Sequence, residues 1–166
     1  MRRSKIYAAL FSALLLLPLA VSAAQPAPNF KLPTFKSEVK LSSYRGKVVY
    51  VDFWASWCEP CRKSFPWMDE MQARYGKNLK VIAINLDPKR EDAVGFLKKL
   101  SPKFTIAFDP DGKVAEAYKV KGMPSSYLID QQGRLVSSHI GFRGSDKEKL
   151  ESHIEKLIAK QQASKR

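Results

Sequence analysis

Cysteine is scarce in this 166-residue sequence, which has only Cys58 and Cys61. Two cysteines three positions apart cannot supply the disulfide framework that holds small secreted domains together. They are also too few for a structural zinc site, which needs four ligands, because the two histidines, His139 and His153, lie far downstream. We therefore expect the pair to be chemically active, and we expect neither a bound metal nor another cofactor.

The sequence also lacks an apolar run of the length needed to cross a membrane, about 20 residues. The run Ile6–Leu17 is broken only by Ser12, follows three basic residues and precedes a proline and several small residues. This layout is typical of a secretory signal peptide. We predict a signal over residues 1–24, cleaved after Ala23 or Ala24; if it is retained, it would anchor the same domain on the same side of the membrane.

No basic run interleaved with aromatic residues is present, although the formal charge is +13. Three of the 29 basic residues lie in the predicted signal and none of the 16 acidic residues does, which leaves +10 for residues 25–166. Because charges of both signs are scattered, they indicate an ordinary solvated surface, and we expect no nucleic-acid partner. The remainder has the length of one domain and no internal repeat, so we expect a single, monomeric domain over residues 25–166.

The hydrophobic pattern changes repeatedly between the periods of strands and helices. Residues 25–47 combine prolines, short apolar alternations and a turn, which indicates an entry segment with a short hairpin. Further along, the periodicity predicts strands at 47–53, 79–86, 106–108, 126–130 and 134–140, and helices at 58–75, 90–100, 114–118 and 147–160. This order predicts an α/β fold, in which a central mixed β-sheet is flanked by helices on both faces.

The two cysteines stand where a buried strand is followed by a helix. The first sulfur then lies beside unpaired backbone N–H groups at the positive end of the helix dipole, which stabilises a thiolate. We expect Cys58 to be the exposed, attacking sulfur and Cys61, one turn further along, to be shielded. Attack on a substrate disulfide would form a mixed disulfide with Cys58, which Cys61 then resolves.

The segment Val51–Cys61, VDFWASWCEPC, resembles the active-site segment of thioredoxin-like proteins, and its Glu-Pro dipeptide is similar to that of the TlpA/ResA-like branch. The resemblance runs from about residue 27 to the last predicted helix. It implies a thioredoxin-like fold with an N-terminal β extension and the activity of an exported thiol-disulfide oxidoreductase. Several members of this branch keep thiols reduced for cytochrome c maturation or for copper-site assembly.

The resemblance carries over to single positions around the cysteines. Pro66 matches the proline that kinks the active-site helix in thioredoxins. Trp54 and Trp57 flank the site as apolar shields, although an aromatic residue in such a place is more often only part of the packing. A Met-Pro pair matches the family's cis-proline loop, which lines up the substrate backbone. The substrate-binding residues that we expect lie next to the sulfurs and in that loop: Trp57, Glu59, Pro60, Met123 and Pro124.

Asp52 lies near the inner end of the predicted central strand, where an unpaired carboxylate is costly. The equivalent acid in thioredoxins helps to deprotonate the resolving cysteine. The resemblance therefore implies that Asp52 is a base for Cys61, with a pKa raised by burial; an edge position reaching water is the alternative. The sequence departs from the family on the neighbouring strand, where thioredoxins often have a lysine and this chain has Ala83 or Asn85.

Glu59 adds a negative charge next to Cys58, and no histidine stands between the cysteines. Both features disfavour a thiolate at Cys58 and so favour a reductant over an oxidant. An exported reductant has to be recharged through the membrane, so we expect a membrane electron donor of the DsbD/CcdA type. We expect a periplasmic location and, as substrates, exported proteins with cysteine pairs or disulfides.

Two other functions fit part of the sequence. A thiol peroxidase shares the fold but needs its cysteine in a Pro-x-x-x-Thr/Ser-x-x-Cys setting, and the residues before Cys58 lack that proline. A copper-binding assembly factor would use both thiolates plus a histidine or a methionine, and Met123 is expected near Cys58 as a soft sulfur ligand.

Overall fold

The structure, a computed structural model, describes residues 25–163. Its strands are β1 Lys31–Pro33, β2 Glu38–Lys40, β3 Val48–Trp54, β4 Leu79–Asn85, β5 Thr105–Phe108, β6 Ser125–Ile129 and β7 Leu135–Ile140. Its helices are α1 Glu59–Tyr75, α2 Arg90–Leu100, α3 Lys113–Ala117 and α4 Asp146–Ala163, and a short 3-10 helix spans Leu41–Tyr44. A five-stranded sheet has the order β5-β4-β3-β6-β7, and β1 and β2 form a separate hairpin.

Strand β3 is at the centre of the sheet, because it pairs in parallel with β4 and antiparallel with β6. All seven of its residues are buried, as expected for an apolar strand that is covered on both faces. Strand β5 continues the sheet in parallel beyond β4, and β7 continues it antiparallel beyond β6. In the register of these pairs, Asp52 lies opposite Ala83 on β4 and opposite Ser126 on β6. Ser126 in turn lies opposite His139 on β7.

Alternation along β3 divides the core into two layers. The even-numbered apolar residues from Val48 to Trp54 lie in the layer formed with α1, α2 and α4, which also contains both cysteines. The odd-numbered residues from Val49 to Phe53 lie in the layer formed with the β1-β2 hairpin and α3. The candidate site therefore belongs to the first layer.

Helix α1 begins with Cys58 as its N-cap, whose Sγ accepts a hydrogen bond from the N–H of Cys61. Pro60 is well suited to this first turn, where a backbone N–H has no carbonyl partner within the helix. Pro66 lies inside the helix, which continues past it although a proline cannot donate to the carbonyl four residues back. The helix is fixed to the sheet by its buried apolar side chains, among them Phe65, Trp67, Met68 and Met71.

The predicted order of elements is confirmed, including the hairpin in the entry segment, and most predicted bounds agree with the structure within one residue. Helix α4 extends three residues beyond its predicted end, because its polar last turn adds nothing to the apolar stripe from which the helix was predicted. The predicted signal peptide lies outside the described residues. Within residues 25–163, none of the helices combines the length and the apolar character needed to span a bilayer.

Candidate active site

Cys58 and Cys61 form a disulfide, with 2.02 Å between the sulfurs and 5.3 Å between the Cα atoms. Cys61 is fully buried, as expected, but Cys58 is only 4% exposed. The expectation of an exposed attacking sulfur is therefore wrong for this oxidised state. The cause is packing, because Cys58 belongs to the same buried apolar cluster as Trp54 and Phe65, and Met123 packs against that cluster.

The first turn of α1 directs a hydrogen-bond donor at Cys58. The backbone N–H of Cys61 donates to Cys58 Sγ over 3.3 Å, at the helix end that carries a partial positive charge. A thiolate accepts such a bond more strongly than an uncharged sulfur does. Once the disulfide is opened, the site is therefore arranged to stabilise negative charge on Cys58.

Asp52 lies in the same layer as the two cysteines, on the even-numbered face of β3. It is 1% exposed, and its Oδ2 has no hydrogen-bond partner. Burial raises the pKa of this carboxyl well above its ordinary value. The alternative that Asp52 reaches water at a sheet edge is therefore wrong. Its neighbours on the two adjacent strands are Ala83 and Ser126, so neither position offers the lysine that thioredoxins often have.

The loop before β6 contains a cis peptide bond between Met123 and Pro124, as the resemblance implied. Pro124 is buried, and its carbonyl accepts a hydrogen bond from the N–H of Gly141 over 2.7 Å. Ser125 Oγ donates to the carbonyl of Gly122 over 2.6 Å. These two bonds hold the loop on both sides of the proline. Met123 packs against the apolar cluster that contains both sulfurs, so the loop lies in the same layer of the core as the disulfide.

The two tryptophans before the cysteines have different environments. Trp54 is fully buried and packs against the rings of Phe65 and Phe96, with centroids 5.0 and 4.9 Å away. Trp57 is 72% exposed. Trp54 therefore packs inside the apolar cluster that contains both sulfurs, whereas Trp57 presents an apolar surface to solvent beside Cys58.

Glu59 is exposed in the first turn of α1, and its carboxylate lies 3.5 Å from Arg62 Nε in an i,i+3 ion pair. Arg62 also stacks on the ring of Phe96, with its guanidinium carbon 5.1 Å from the centroid. The exposed position and the fixed cation both weaken the field that Glu59 exerts at Cys58. Glu59 therefore disfavours a thiolate at Cys58 less than its place next to that cysteine in the sequence suggests.

A buried polar network next to the active-site loop was not foreseen from the sequence. Asp87 accepts bonds from the Ser56 N–H over 2.9 Å, from Ser56 Oγ over 3.0 Å and from Asn85 Nδ2 over 2.8 Å. Asp87 and Asn85 are buried. The network ties the residues just before Trp57 to the end of β4. The one signal for this network in the sequence was the Asn-x-Asp pattern at the end of a buried strand.

The histidines do not complete a metal site with the sulfurs. His139 lies on the edge strand β7, with its Nε2 3.3 Å from Asp146 Oδ2, and His153 lies on α4. Over the described part of the chain, no three or more His, Cys, Asp or Glu side chains are grouped so that they could hold a metal ion.

Comparisons with known proteins agree on one group. The model of a family described as AhpC/TSA matches residues 23–138. A thiol-disulfide oxidoreductase ResA of Bacillus cereus is 35% identical over 133 residues, 79% of this chain and 76% of that protein. A crystal structure from Chlorobium tepidum, described as a thiol:disulfide interchange protein DsbE, is 52% identical with a TM-score of 0.79, over 81% of this chain and 96% of that one. An exposed lipoprotein thioredoxin of Streptococcus pneumoniae is 32% identical with a TM-score of 0.71, over 78% and 100% of the two chains.

Proposed function

Because this chain belongs to the AhpC/TSA family and, within it, to the ResA-like thiol-disulfide oxidoreductases of thioredoxin-like fold, we propose that it reduces disulfides in exported proteins. The observation that carries the proposal is the disulfide at the start of α1, together with a cis-proline loop whose Met123 packs against the same apolar cluster. Two cysteines whose sulfurs can bond to each other supply the attacking and the resolving thiol that dithiol-disulfide exchange requires.

The reaction starts from the reduced pair. The thiolate of Cys58 attacks one sulfur of the substrate disulfide, forming a mixed disulfide while the other substrate sulfur leaves as a thiolate. Cys61 then gives its proton to Asp52 and attacks Cys58 Sγ, which releases the second substrate sulfur. Two electrons pass to the substrate, and the protein ends in the oxidised state with the disulfide between Cys58 and Cys61.

The substrate contacts in this proposal surround the sulfurs. Trp57 offers an exposed apolar face on which a substrate chain can pack. The loop of Met123 and Pro124 packs against the apolar cluster that contains both sulfurs, and an extended substrate segment can lie along it. Glu59 and Pro60 occupy the turn between the sulfurs and face any partner that reaches Cys58.

Export belongs to the same proposal. We assign residues 1–24 to a signal peptide, cleaved after Ala23 or Ala24 or retained as a membrane anchor, and residues 25–166 to one monomeric domain in the periplasm. The layout of basic, apolar and small residues supports the signal, and the streptococcal relative is described as an exposed lipoprotein. The partners are then a membrane electron donor of the DsbD/CcdA type and oxidised apocytochrome c or copper-site cysteines as substrates.

An equilibrium redox titration of the domain, followed by alkylation of free thiols, tests the direction of electron flow. A potential near or below about −220 mV supports a reductant, and one near about −120 mV contradicts it. Cys58→Ser is the control, since it cannot form the disulfide and has no transition. Cys61→Ser should accumulate mixed disulfides with substrate proteins, because the resolving sulfur is missing.

The same preparations separate the alternative functions. Rapid consumption of hydrogen peroxide that depends on Cys58 but not on Cys61 would favour a thiol peroxidase. Stoichiometric Cu(I) binding that needs both cysteines, without reduction of any disulfide, would favour a copper-binding assembly factor. Either result would contradict the proposed reductase.

A further inference from the structure

Three positive side chains line one cleft between α1 and the start of α4. Lys63 on α1, Arg143 in the loop after β7 and Lys147 on α4 surround a volume of about 410 Å³, and Phe142 and Gly144 complete the lining. All three cations are exposed, whereas Phe142 is buried. This volume lies within the range of about 300–1,000 Å³ that ligand-binding clefts have. We call it the cationic cleft.

The three cations are not neutralised within the chain. Among residues 25–163, none of them forms an ion pair. Asp146 lies between two of them in the sequence, and its charge and that of Arg143 act on each other. Its Oδ2, however, accepts the backbone N–H of Arg143 over 2.6 Å and lies 3.3 Å from His139 Nε2. Even with Asp146 counted, the cleft keeps an excess of two positive charges.

The other acids of the two helices are engaged elsewhere or lie outside the cleft. Glu59, one turn before the cation of α1, pairs with Arg62. Glu151, one turn after the cation of α4, pairs with Arg74. Glu148 is in the first turn of α4 but does not line the cleft. The cationic cleft is therefore open to a negative group from another molecule.

Helix α1 connects the cationic cleft to the attacking sulfur. Lys63 follows Cys58 by five residues, and helix geometry sets their Cα atoms about 9 Å apart. On the opposite wall, the ring of Phe142 packs against Trp67 of α1, with the centroids 5.6 Å apart. An extended peptide advances about 3.3 Å per residue. A substrate residue about two to four positions from the cysteine that bonds to Cys58 can therefore reach the cleft.

We propose that the cationic cleft binds an acidic side chain of the substrate protein, close in sequence to the substrate's reacting cysteine. The inference rests on the proposed function, and it deepens that function by naming the class of substrate segment. An arginine and two lysines can each give a carboxylate a charge-assisted hydrogen bond. A protein substrate fits better than an anionic membrane, because clusters that bind such membranes have about 4–8 basic residues.

The test measures how fast the reduced full-length protein reduces short peptides that contain one disulfide. Three peptides differ only in having aspartate, asparagine or lysine three positions from the reacting cysteine, on either side of it. At low salt, we expect the aspartate peptide to react about fivefold faster than the asparagine peptide, as two or three weak exposed ion pairs predict, and the lysine peptide to be the slowest. The gain should appear in the peptide concentration that gives half the maximal rate and not in the maximal rate, because the carboxylate binds equally before and during the exchange. High salt should remove it.

A matched pair of triple variants separates the cleft from the positive charge of the whole protein. Changing Lys63, Arg143 and Lys147 together to glutamine should abolish the preference for aspartate, while the asparagine peptide still reacts at the wild-type rate. The control changes three other exposed lysines of α4 to glutamine: Lys149, Lys156 and Lys160. The control removes the same charge and should keep the preference, because steering by the overall field is not tied to one site.

Two results would overturn the cationic cleft as a substrate site. One is a preference for aspartate that survives in the cleft variant or disappears equally in the control. The other is that the cleft variant keeps the peptide preference but no longer binds vesicles of phosphatidylcholine and phosphatidylserine in equal parts, which would make the cleft a membrane contact. In both cases reduction of the asparagine peptide by the wild type still supports the proposed function. If the wild type reduces none of the peptides, the proposed function fails, and the inference fails with it.

Discussion

Replacing Asp52 with asparagine in the oxidised protein is expected to stabilise the fold at high pH and to leave its stability unchanged in acid. The carboxyl is 1% exposed, its Oδ2 has no partner, and burial raises its pKa well above the ordinary value. Asparagine has nearly the same shape but cannot ionise. The disulfide between Cys58 and Cys61 keeps the thiols out of the titration.

The direction follows from proton binding in the two states. Between the pKa of an unfolded aspartate, about 3.9, and the raised pKa of Asp52 in the fold, the native state binds more protons than the unfolded state. The contribution of Asp52 to the free energy of unfolding of the wild type therefore falls as pH rises through this window and is constant above it. An unpaired buried polar group costs about 1–3 kcal/mol, and more when it is charged. We expect Asp52→Asn to be more stable than the wild type by about that amount at pH values near 9, and equally stable near pH 3.5.

Urea unfolding of the oxidised proteins across this range, followed by tryptophan fluorescence, measures the difference. Asp111→Asn is the matched control, because the Asp111 side chain is 70% exposed, and this change should have little effect at any pH. A gap between Asp52→Asn and the wild type that does not vary with pH would refute the reasoning. A variant less stable than the wild type at high pH would refute it as well.

Three further substitutions have expected outcomes. Gly133→Ala should lower the free energy of unfolding by about 1–2 kcal/mol, because Gly133 has a φ of +78° and its new Cβ would meet the guanidinium of Arg45; Gly144→Ala, with open space around it, is the control in the same urea assay. Gly95→Ala should raise the free energy of unfolding by about 0.5–1 kcal/mol, because Gly95 is exposed inside α2 and a Cβ there meets nothing. Glu59→Gln should change the redox potential by less than about 20 mV, because exposed ion pairs contribute about 0–1 kcal/mol; a larger shift would restore Glu59 as the determinant of direction.

Local patterns predicted the elements that carry the sulfurs. The β-branched run within Val48–Trp54 and the helical spacing after Cys58 are short-range signals, and each element formed where its period placed it. The cis peptide before Pro124 was implied by the resemblance alone, since a proline at the start of a strand gives the same local sequence. Residue spacing therefore predicted the scaffold of the site, and the resemblance supplied the loop that borders it.

Contacts between residues far apart in the chain could not be predicted from the sequence pattern. Ser56 and Asp87 bond across 31 positions, and no periodicity pairs a loop serine with an acid after the next strand. The alignment of Asp52, Ser126 and His139 across three strands depends on the registers of two strand pairs, and the second of these shifts between Leu128 and Ile129. A shift of one residue would turn these side chains to opposite faces, so their alignment became visible only with the folded sheet.

The pH dependence of the redox potential reports on both the sulfurs and the buried acid, because reduction adds electrons to the sulfurs and protons to the groups beside them. If both thiols stay protonated, reduction takes up two protons with two electrons, and the potential falls by about 59 mV per pH unit. If Cys58 is a thiolate and Cys61 keeps its proton, the fall is about 30 mV per pH unit. The backbone N–H of Cys61, which lies 3.3 Å from Cys58 Sγ, favours a negative charge on Cys58. The desolvated Asp52 disfavours a second negative charge, on Cys61, in the same layer of the core. The slope should therefore change from about 59 to about 30 mV per pH unit where Cys58 ionises, and hold there into the alkaline range. A slope that drops directly to zero would mean that both sulfurs ionise together, contrary to the electrostatics of this site.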